Sequence, residues 1–377
     1  MSFTRGWIAA IVAPVAVVAG AVAIPTFANA ASPPPAKSAA QVLALIAGSH
    51  HAHYSGTVQQ TSDLGLPQLP SSMSPDRSGS GFDAASLLQL VTGSHTAKVY
   101  VDGRSRQRVQ LLDTLSERDF IHDGASLWTY DASARTATHV TVARSEAKGR
   151  MPHDVTPVTP VTAAEKLLTA IGPTTSVTVS TGTDLGRGVY ELRIAPRTTA
   201  TLIGDAVVTV DAQTGVPLAV RVDARHQSTP ALSVAFTSFD TSRPAASVFA
   251  FTPPPGTTVK HLTLPGHLLK HLSVPGAHLP KHMSAHRHLP AHAAAHLPKP
   301  TVIGTGWTSV VEVPAGRALS GATGRIGSSG SALLDELTQR VSGGRILQTS
   351  LFTVYLRDDG TVFAGAVPAA TLLAAAK

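Results

Sequence analysis

The amino-acid sequence predicts an α+β protein, mainly antiparallel β: an unclosed β-barrel, or half-barrel, with short helices as a lid, followed by a small C-terminal α+β module. Three observations carry this. Short alternating segments succeed one another from residue 95 onward, so closely that only antiparallel hairpins can join them, since parallel pairing needs a crossover of a dozen or more residues. Few helical patterns interrupt them, so the strands must form one strongly curved sheet or open barrel with helices over one opening. A histidine- and proline-rich stretch then separates them from a segment of different texture, residues 300–377.

Residues 1–30 read as a secretory signal peptide: Arg5, the uncharged run WIAAIVAPVAVVAGAVAI, and Ala28-Asn29-Ala30 as an A-x-A cleavage site. The competing reading is a retained membrane anchor, because the run approaches spanning length. Pro14, Pro25 and the small residues at the site favour cleavage after Ala30. The expectation is an extracytoplasmic, soluble mature protein, secreted or held in a periplasm-like envelope space. The chain has no cysteine, which excludes disulfides, thiol nucleophiles and a lipid-modified N-terminal cysteine; the protein must fold on its core and is expected not to be lipidated.

The elements follow in order. SAAQVLALIAGS has a helical apolar pattern ending at Gly48, and HYSGTVQQTSD alternates as a strand. Residues 64–81 are rich in Pro, Ser and Gly and read as a loop, and FDAASLLQLVTG offers a second helix. Five strands follow: HTAKVYVDG, RQRVQLLD, ERDFIHDG, SLWTYDAS and TATHVTVAR. PVTAAEKLLTAI is an amphipathic helix with Thr162 as N-cap and Gly172-Pro173 as its stop. The meander resumes with TSVTVSTGTDLG, GVYELRIAPR, DAVVTVDAQTG, PLAVRVDAR and ALSVAFTSFD. In the last segment TGWTSVVEVPAG reads as a strand, SALLDELTQRV as a helix, RILQTSLFTVYLRDDGTVFAGAV as a hairpin turning at Asp359-Gly360, and ATLLAAAK as a closing helix. The expected organisation is a signal peptide at 1–30, an open-barrel domain at 31–259, a linker at 260–299 and a small module at 300–377.

The net charge of +7 is concentrated rather than spread. Residues 260–299 hold Lys260, Lys270, Lys281, Arg287 and Lys299 and no acid, leaving the rest of the chain nearly neutral. No basic face interleaved with aromatics appears, so nucleic acid is not expected as a partner.

Three stretches resemble the LolA-like lipoprotein carrier family, in particular its actinobacterial members: HYSGTVQQ; RSRQRVQLLDTLSERDFIHDGASLWTYDASARTATHV; and VFAFTPPPGTTV at residues 248–259, similar to the family's F-x-F-x-P-P-x-G-x-x-V close. The resemblance spans roughly residues 38–259. It implies an unclosed antiparallel barrel with a helical lid and an apolar cavity that receives acyl chains. It also implies an arginine that serves ligand transfer, for which Arg104, Arg106 and Arg108 are the candidates. The carrier members have a single domain, whereas the two-domain layout here resembles RseB/MucB-type regulators, with GTVFAGAVPAATLLAAA similar to the end of their smaller domain.

A cavity for a lipid tail needs apolar side chains converging from several strands, with polar groups at the mouth. Candidates for its wall are Val109, Leu111, Phe120, Trp128, Tyr130, Tyr190, Leu192, Ile194, Val234, Phe236, Phe249 and Phe251. The same residues could equally fill an ordinary core. No G-x-S-x-G elbow or Walker loop occurs, and neighbours on a strand such as His122 and Asp123 point to opposite faces, so no enzymatic activity and no cofactor are expected.

Residues 260–299 carry nine of the seventeen histidines. His267 and His271; His278, His282 and His286; and His288, His292 and His296 are spaced by four, which would align imidazoles on a helix face for Zn²⁺, Cu²⁺ or Ni²⁺. Pro265, Pro275, Pro280, Pro290 and Pro298 break any long helix and favour a plain linker. Protonation of these histidines near pH 6.5 would draw the segment toward anionic lipid or wall polymer.

Three functions follow: an envelope carrier holding an acyl chain or lipoprotein lipid; a sensor that signals to a membrane protein such as an anti-sigma factor; or a metal-binding protein acting through the histidine segment.

Overall fold

The computed structural model describes residues 31–66, 93–113, 116–142, 159–168, 172–264, 300–315 and 336–377. The signal peptide, the helix expected at 82–93 and the histidines from His267 to His296 lie outside the described residues, apart from Gly93, which opens a strand.

One sheet holds twelve strands: β1 (His53–Ser62), β2 (Gly93–Asp102), β3 (Arg106–Asp113), β4 (Ser116–Asp123), β5 (Ser126–Asp131), β6 (Thr136–Val142), β7 (Thr175–Asp184), β8 (Arg187–Pro196), β9 (Ile203–Asp211), β10 (Pro217–Ala224), β11 (Leu232–Asp240) and β12 (Thr258–Leu264). Their order is β12-β6-β5-β4-β3-β2-β1-β11-β10-β9-β8-β7, an open half-barrel in which, among the described residues, β12 and β7 form the edges. β1 joins the two meanders by pairing with both β2 and β11. The strands expected before residue 259 all form, and among the described residues every pairing but one is antiparallel. The exception is β12, which lies parallel to β6 and places Val259 inside a strand. The return from β11, by way of the short turn Ala246–Phe249, is long enough to carry the chain across the sheet, as a parallel partner requires.

Among the described residues, two helices cover one face of this sheet. α1 (Ala39–Gly48) starts with a capping box in which Gln41 N donates to Ser38 Oγ at 3.3 Å and Ser38 N to Gln41 Oε1 at 2.8 Å. Its buried residues Val42 and Ile46 are one turn apart and face the sheet. α2 (Pro160–Leu168) is capped by Thr159, not Thr162. Thr162 N donates to Thr159 Oγ1 at 3.2 Å and Thr159 N to Thr162 Oγ1 at 2.9 Å, so Thr162 is the reciprocal partner one turn in and Pro160 takes the first helical position.

The side chains beneath the helices form a register row across the strands: Leu192 opposite Val208, Val208 opposite Val220, and Val220 opposite Val234. All four are 2% exposed or less. A second row runs from Phe236 through Val58 and Ala97 to Leu111. Gly56 lies on this face because a Cβ there would meet the Phe236 ring at 2.8 Å and Ser238 O at 2.2 Å.

The second sheet contains β13 (Thr301–Ile303), β14 (Val310–Val313), β15 (Gln339–Val341), β16 (Gly344–Gln348), β17 (Thr353–Arg357) and β18 (Val362–Gly365), in the order β13-β14-β18-β17-β16-β15. α3 (Ala369–Ala375) packs Leu372 against Val310, Tyr355, Phe363 and Val367. The helix expected over 331–341 is corrected at its end: Gln339–Val341 is a strand paired with β16, because burying Val341 on this core outweighs the helical spacing. The hairpin expected over 345–367 becomes the strands β16, β17 and β18. The turn at 359–360 is wider than two residues, since Arg357 N bonds Thr361 O at 2.9 Å around Asp358-Asp359-Gly360, with Gly360 at φ 87°.

The two sheets share a core. Trp307 belongs to the same buried cluster as Val42, Ile46, Tyr190, Leu192 and Ile194, and its Nε1 donates to Thr175 Oγ1 at 2.8 Å. Leu202 N and Thr201 Oγ1 both donate to Ala366 O, at 2.9 and 2.6 Å. Leu64 and Leu66, read from sequence as loop, pack on Leu351 and Phe352.

Candidate functional site

The candidate wall residues divide between the two faces of the large sheet. Val109 stands opposite Phe120, Leu111 is linked through Ala97 to Val58 and Phe236, and Val234 is linked through Val220 and Val208 to Leu192. Side chains that oppose one another in register share a face, so these residues, with Tyr190 and Ile194, all lie on the helix-bearing inner face.

Trp128 and Tyr130 do not. Trp128 is opposite Ile121, and Ile121 is opposite Arg108, which alternates with Val109 and so points outward. The segment after β11 covers this outer face: Phe251 lies 5.3 Å from Trp128 and 5.5 Å from Tyr130 between ring centroids, and the buried Phe249 sits beneath the Arg106 guanidinium at 5.7 Å. The VFAFTPPPGTTV motif is thus a strap on the back of the sheet.

The basic candidates also face outward. Arg108 Nη2 donates to Asp119 Oδ2 at 2.8 Å and Nη1 to Val248 O at 3.0 Å, which ties the strap to β3 and β4. Arg106 pairs with Asp102, whose other oxygen lies 3.4 Å from Arg243 Nε. Arg104 is exposed in the β2–β3 turn. Neither Arg106 nor Arg108 reaches the inner face, because in a strand the residues at 106 and 108 alternate with those at 107 and 109.

Burial on the inner face falls along the sheet. Beneath α1 and α2, Tyr190, Leu192 and Ile194 are 1% exposed or less, a filled core in which Tyr190 Oη donates to Pro35 O at 3.0 Å. Val109 is still buried, but Leu111, Phe120, Leu127 and Val140 are only half-buried, and Leu262 at the β12 edge is 38% exposed. Leu127 opposes both His122 and Val140, and Val140 opposes Leu262, so the apolar surface continues to the sheet edge. Leu127, Val140 and Leu262 were missed in the sequence because their strands carry Thr and His between apolar positions, and the face of each strand is set only by register.

His122 lies among them, 6% exposed, with Nε2 2.9 Å from Gly124 O and no partner for Nδ1. Burial holds its pKa below the ordinary histidine value, against the Gly124 carbonyl and the Asp123 charge, which raise it. Asp123 is on the opposite face, in register with Arg106. On the outer face Trp128 stacks on His139 at 4.2 Å, and burial together with the His261 charge holds the His139 pKa down.

A cleft of about 570 Å³ opens on the outer side of β8–β10, lined by Arg193, Asp205, Arg221, Asp223 and Arg225. Its charges are largely paired within the protein, Arg193 with Asp205 at 2.6 Å and Arg221 with Asp223 at 2.9 Å, so it does not suit an acyl chain.

No protein-family model matches the chain, and a search of the curated proteins gives no match. Several solved structures are similar at low identity. A chain from the MucA/MucB complex of Pseudomonas aeruginosa is 13% identical, with 89% of this chain and 96% of that chain covered and a TM-score of 0.39. An uncharacterized conserved protein from Thermus thermophilus is 10% identical over 60% and 99% of the two chains, with a TM-score of 0.34. A LolA superfamily protein from Nitrosomonas europaea is 8% identical over 57% and 99%, with a TM-score of 0.24.

Proposed function

We propose that this is an exported, non-catalytic binding protein of the cell envelope, in which the half-barrel of β1 to β12 holds an acyl chain or lipoprotein lipid against its inner face. The observation that carries this reading is the gradient of burial on that face, from the filled core under α1 to the half-buried Leu111, Phe120, Leu127 and Val140. An apolar surface that continues past α1 and α2 and stays half-buried is suited to an apolar ligand. The resemblance of three sequence stretches to lipoprotein carriers supports the same ligand class. Trp128, Tyr130, Phe249 and Phe251 then hold the strap rather than the ligand.

The test is displacement of a fluorescent fatty-acid probe from the full chain, with mass spectrometry of lipid co-purifying from the native host. Phe120→Ser and Leu127→Gln are expected to weaken probe binding about tenfold, the scale of losing one buried apolar side chain. Trp128→Ala is expected to leave it unchanged. Absence of probe binding and of co-purified lipid would overturn the reading, and loss on Trp128→Ala alone would move the site to the outer face.

A second reading, an envelope sensor that passes ligand occupancy to a membrane protein, is supported by Trp307. This side chain of the 300–377 module packs in one cluster with Val42 and Ile46 of α1, so displacement of α1 by a ligand would be felt by the module. A partner whose affinity changes on lipid loading, and returns to the unloaded value in Trp307→Ala, is the expected signature.

A further inference from the structure

We propose that His139 and His261 form a two-imidazole site for a divalent transition-metal ion, Cu²⁺ preferred, on the outer face at the seam between β6 and β12. The site is separate from the lipid surface, which lies on the other side of the sheet.

β12 is parallel to β6, and in that register His261 stands directly opposite His139. Neighbouring strands lie about 4.8 Å apart, and opposed residues point to the same side, so the two imidazoles are held side by side by backbone pairing alone. Their ring centroids are 5.6 Å apart with the planes at 75°. Two imidazoles bound to one ion through bonds of about 2.0–2.1 Å place their centroids roughly 5 Å apart in a tetrahedral site and roughly 4.5 Å apart in adjacent positions of a tetragonal Cu²⁺ site, so the two rings need to close by about 0.5–1 Å, which the exposed His261 side chain can supply.

The surroundings of His139 suit a ligand. Its Nε2 is 2.8 Å from Ser126 Oγ. With the Nε2 proton donated to that hydroxyl, the Nδ1 lone pair is the one left for an ion, the second-partner arrangement common to metal-binding histidines. Trp128 lies flat against the ring at 4.2 Å and 4° and restricts its rotation. His261 is exposed, so the site is open to solvent, and water completes the coordination.

Two neutral nitrogen donors without a thiolate or carboxylate give modest affinity in the order of the divalent series, with Cu²⁺ bound more tightly than Ni²⁺ or Zn²⁺. An ion here would bridge the sole parallel pairing among the described residues, at the edge of the sheet, where the ladder is weakest. His261 is also the first of the nine histidines of residues 260–299, so the ion would fix the point where that segment leaves the barrel.

The test is Cu²⁺ titration of the full chain followed by Trp128 fluorescence, which an ion on the adjacent His139 quenches, with Trp128→Phe identifying the quenched component. Four proteins are compared: the unaltered chain, His139→Gln, His261→Gln, and a chain with His267 to His296 all changed to Gln. Saturable quenching is expected to survive in the last. It is expected to shift to at least about tenfold higher Cu²⁺ in each single variant, the scale on which disturbing a metal-binding histidine acts. His261 is exposed, so His261→Gln keeps the fold and decides the matter should His139→Gln unfold. Electron paramagnetic resonance should report two nitrogen ligands in the unaltered chain and one in His261→Gln. Quenching that ignores both single variants, or that vanishes with His267 to His296, would overturn the site.

Discussion

Arg108 Nη2 lies 2.8 Å from Asp119 Oδ2, and the pair points away from the helices and toward the strap. Asp119 is 4% exposed at its side chain against 19% for Arg108, so removing the arginine leaves the carboxylate nearly cut off from water. Removing one member of such a pair costs about 3 kcal/mol, because the survivor remains buried and uncompensated. Arg108→Ala also releases Val248 O and with it the strap. The expected outcome is a loss of about 3 kcal/mol in denaturant unfolding with fatty-acid probe binding retained in the folded fraction. Loss of binding at unchanged stability would instead assign Arg108 the transfer role that its sequence position suggests.

His122 makes stability depend on pH. Its pKa is lowered in the fold, chiefly by burial, so the unfolded chain takes up its proton first as pH falls. The sign follows: stability is full above the unfolded histidine value of about 6.5 and declines as pH falls from there toward the folded value. Thermal unfolding from pH 7.5 to 5 should show this decline, and His122→Gln should flatten it. An equal slope in the variant would place the dependence in other histidines.

Much of the fold could be read from alternation, because each strand of the meander is short and ends in a turn signal. HYSGTVQQTSD and RQRVQLLD form within a residue of their expected bounds. The faces could not be read so well. Trp128 and Phe120 are both large and apolar on adjacent strands, yet Phe120 opposes Thr129 and Trp128 opposes Ile121, and only the turn at 124–125 sets that register. The parallel strand β12 was hidden for a related reason: Lys260, His261 and Leu262 read as the start of a linker because their partner β6 is more than a hundred residues away. Trp307 gave no local sign that it completes the core of another sheet.

Trp307 therefore carries the third prediction. Its side chain is 9% exposed, packs with Tyr190 and Ile46, and bonds Thr175. Trp307→Ala removes this volume and leaves the Thr175 hydroxyl without that donor, at a cost of about 3 kcal/mol. The loss falls between the two sheets, so the single unfolding transition is expected to split into two and proteolysis to cleave between residues 264 and 300. A uniformly shifted single transition would mean that the contacts at Ala366 and Leu351 suffice to hold the module.

Gly215 fixes where the lid sits. It has φ 72°, and a Cβ there would lie 2.3 Å from Leu45 O of α1, closer than any contact that small shifts relieve. The turn cannot yield, since Asp211 receives Thr214 N at 2.8 Å and Thr214 Oγ1 at 2.6 Å and is clamped by both Arg187 Nε and Nη2. The helix must move instead. Gly215→Ala then combines a left-handed backbone penalty of about 1–2 kcal/mol with displacement of α1 from the row beneath it. Val42 and Ile46 would lift from Tyr190 and Leu192, so faster hydrogen exchange at Leu192 and Val208 is expected, together with faster on and off rates for the fatty-acid probe. Faster exchange with unchanged probe kinetics would show that ligand enters at the half-covered Phe120 and Leu127 end without passing the helix.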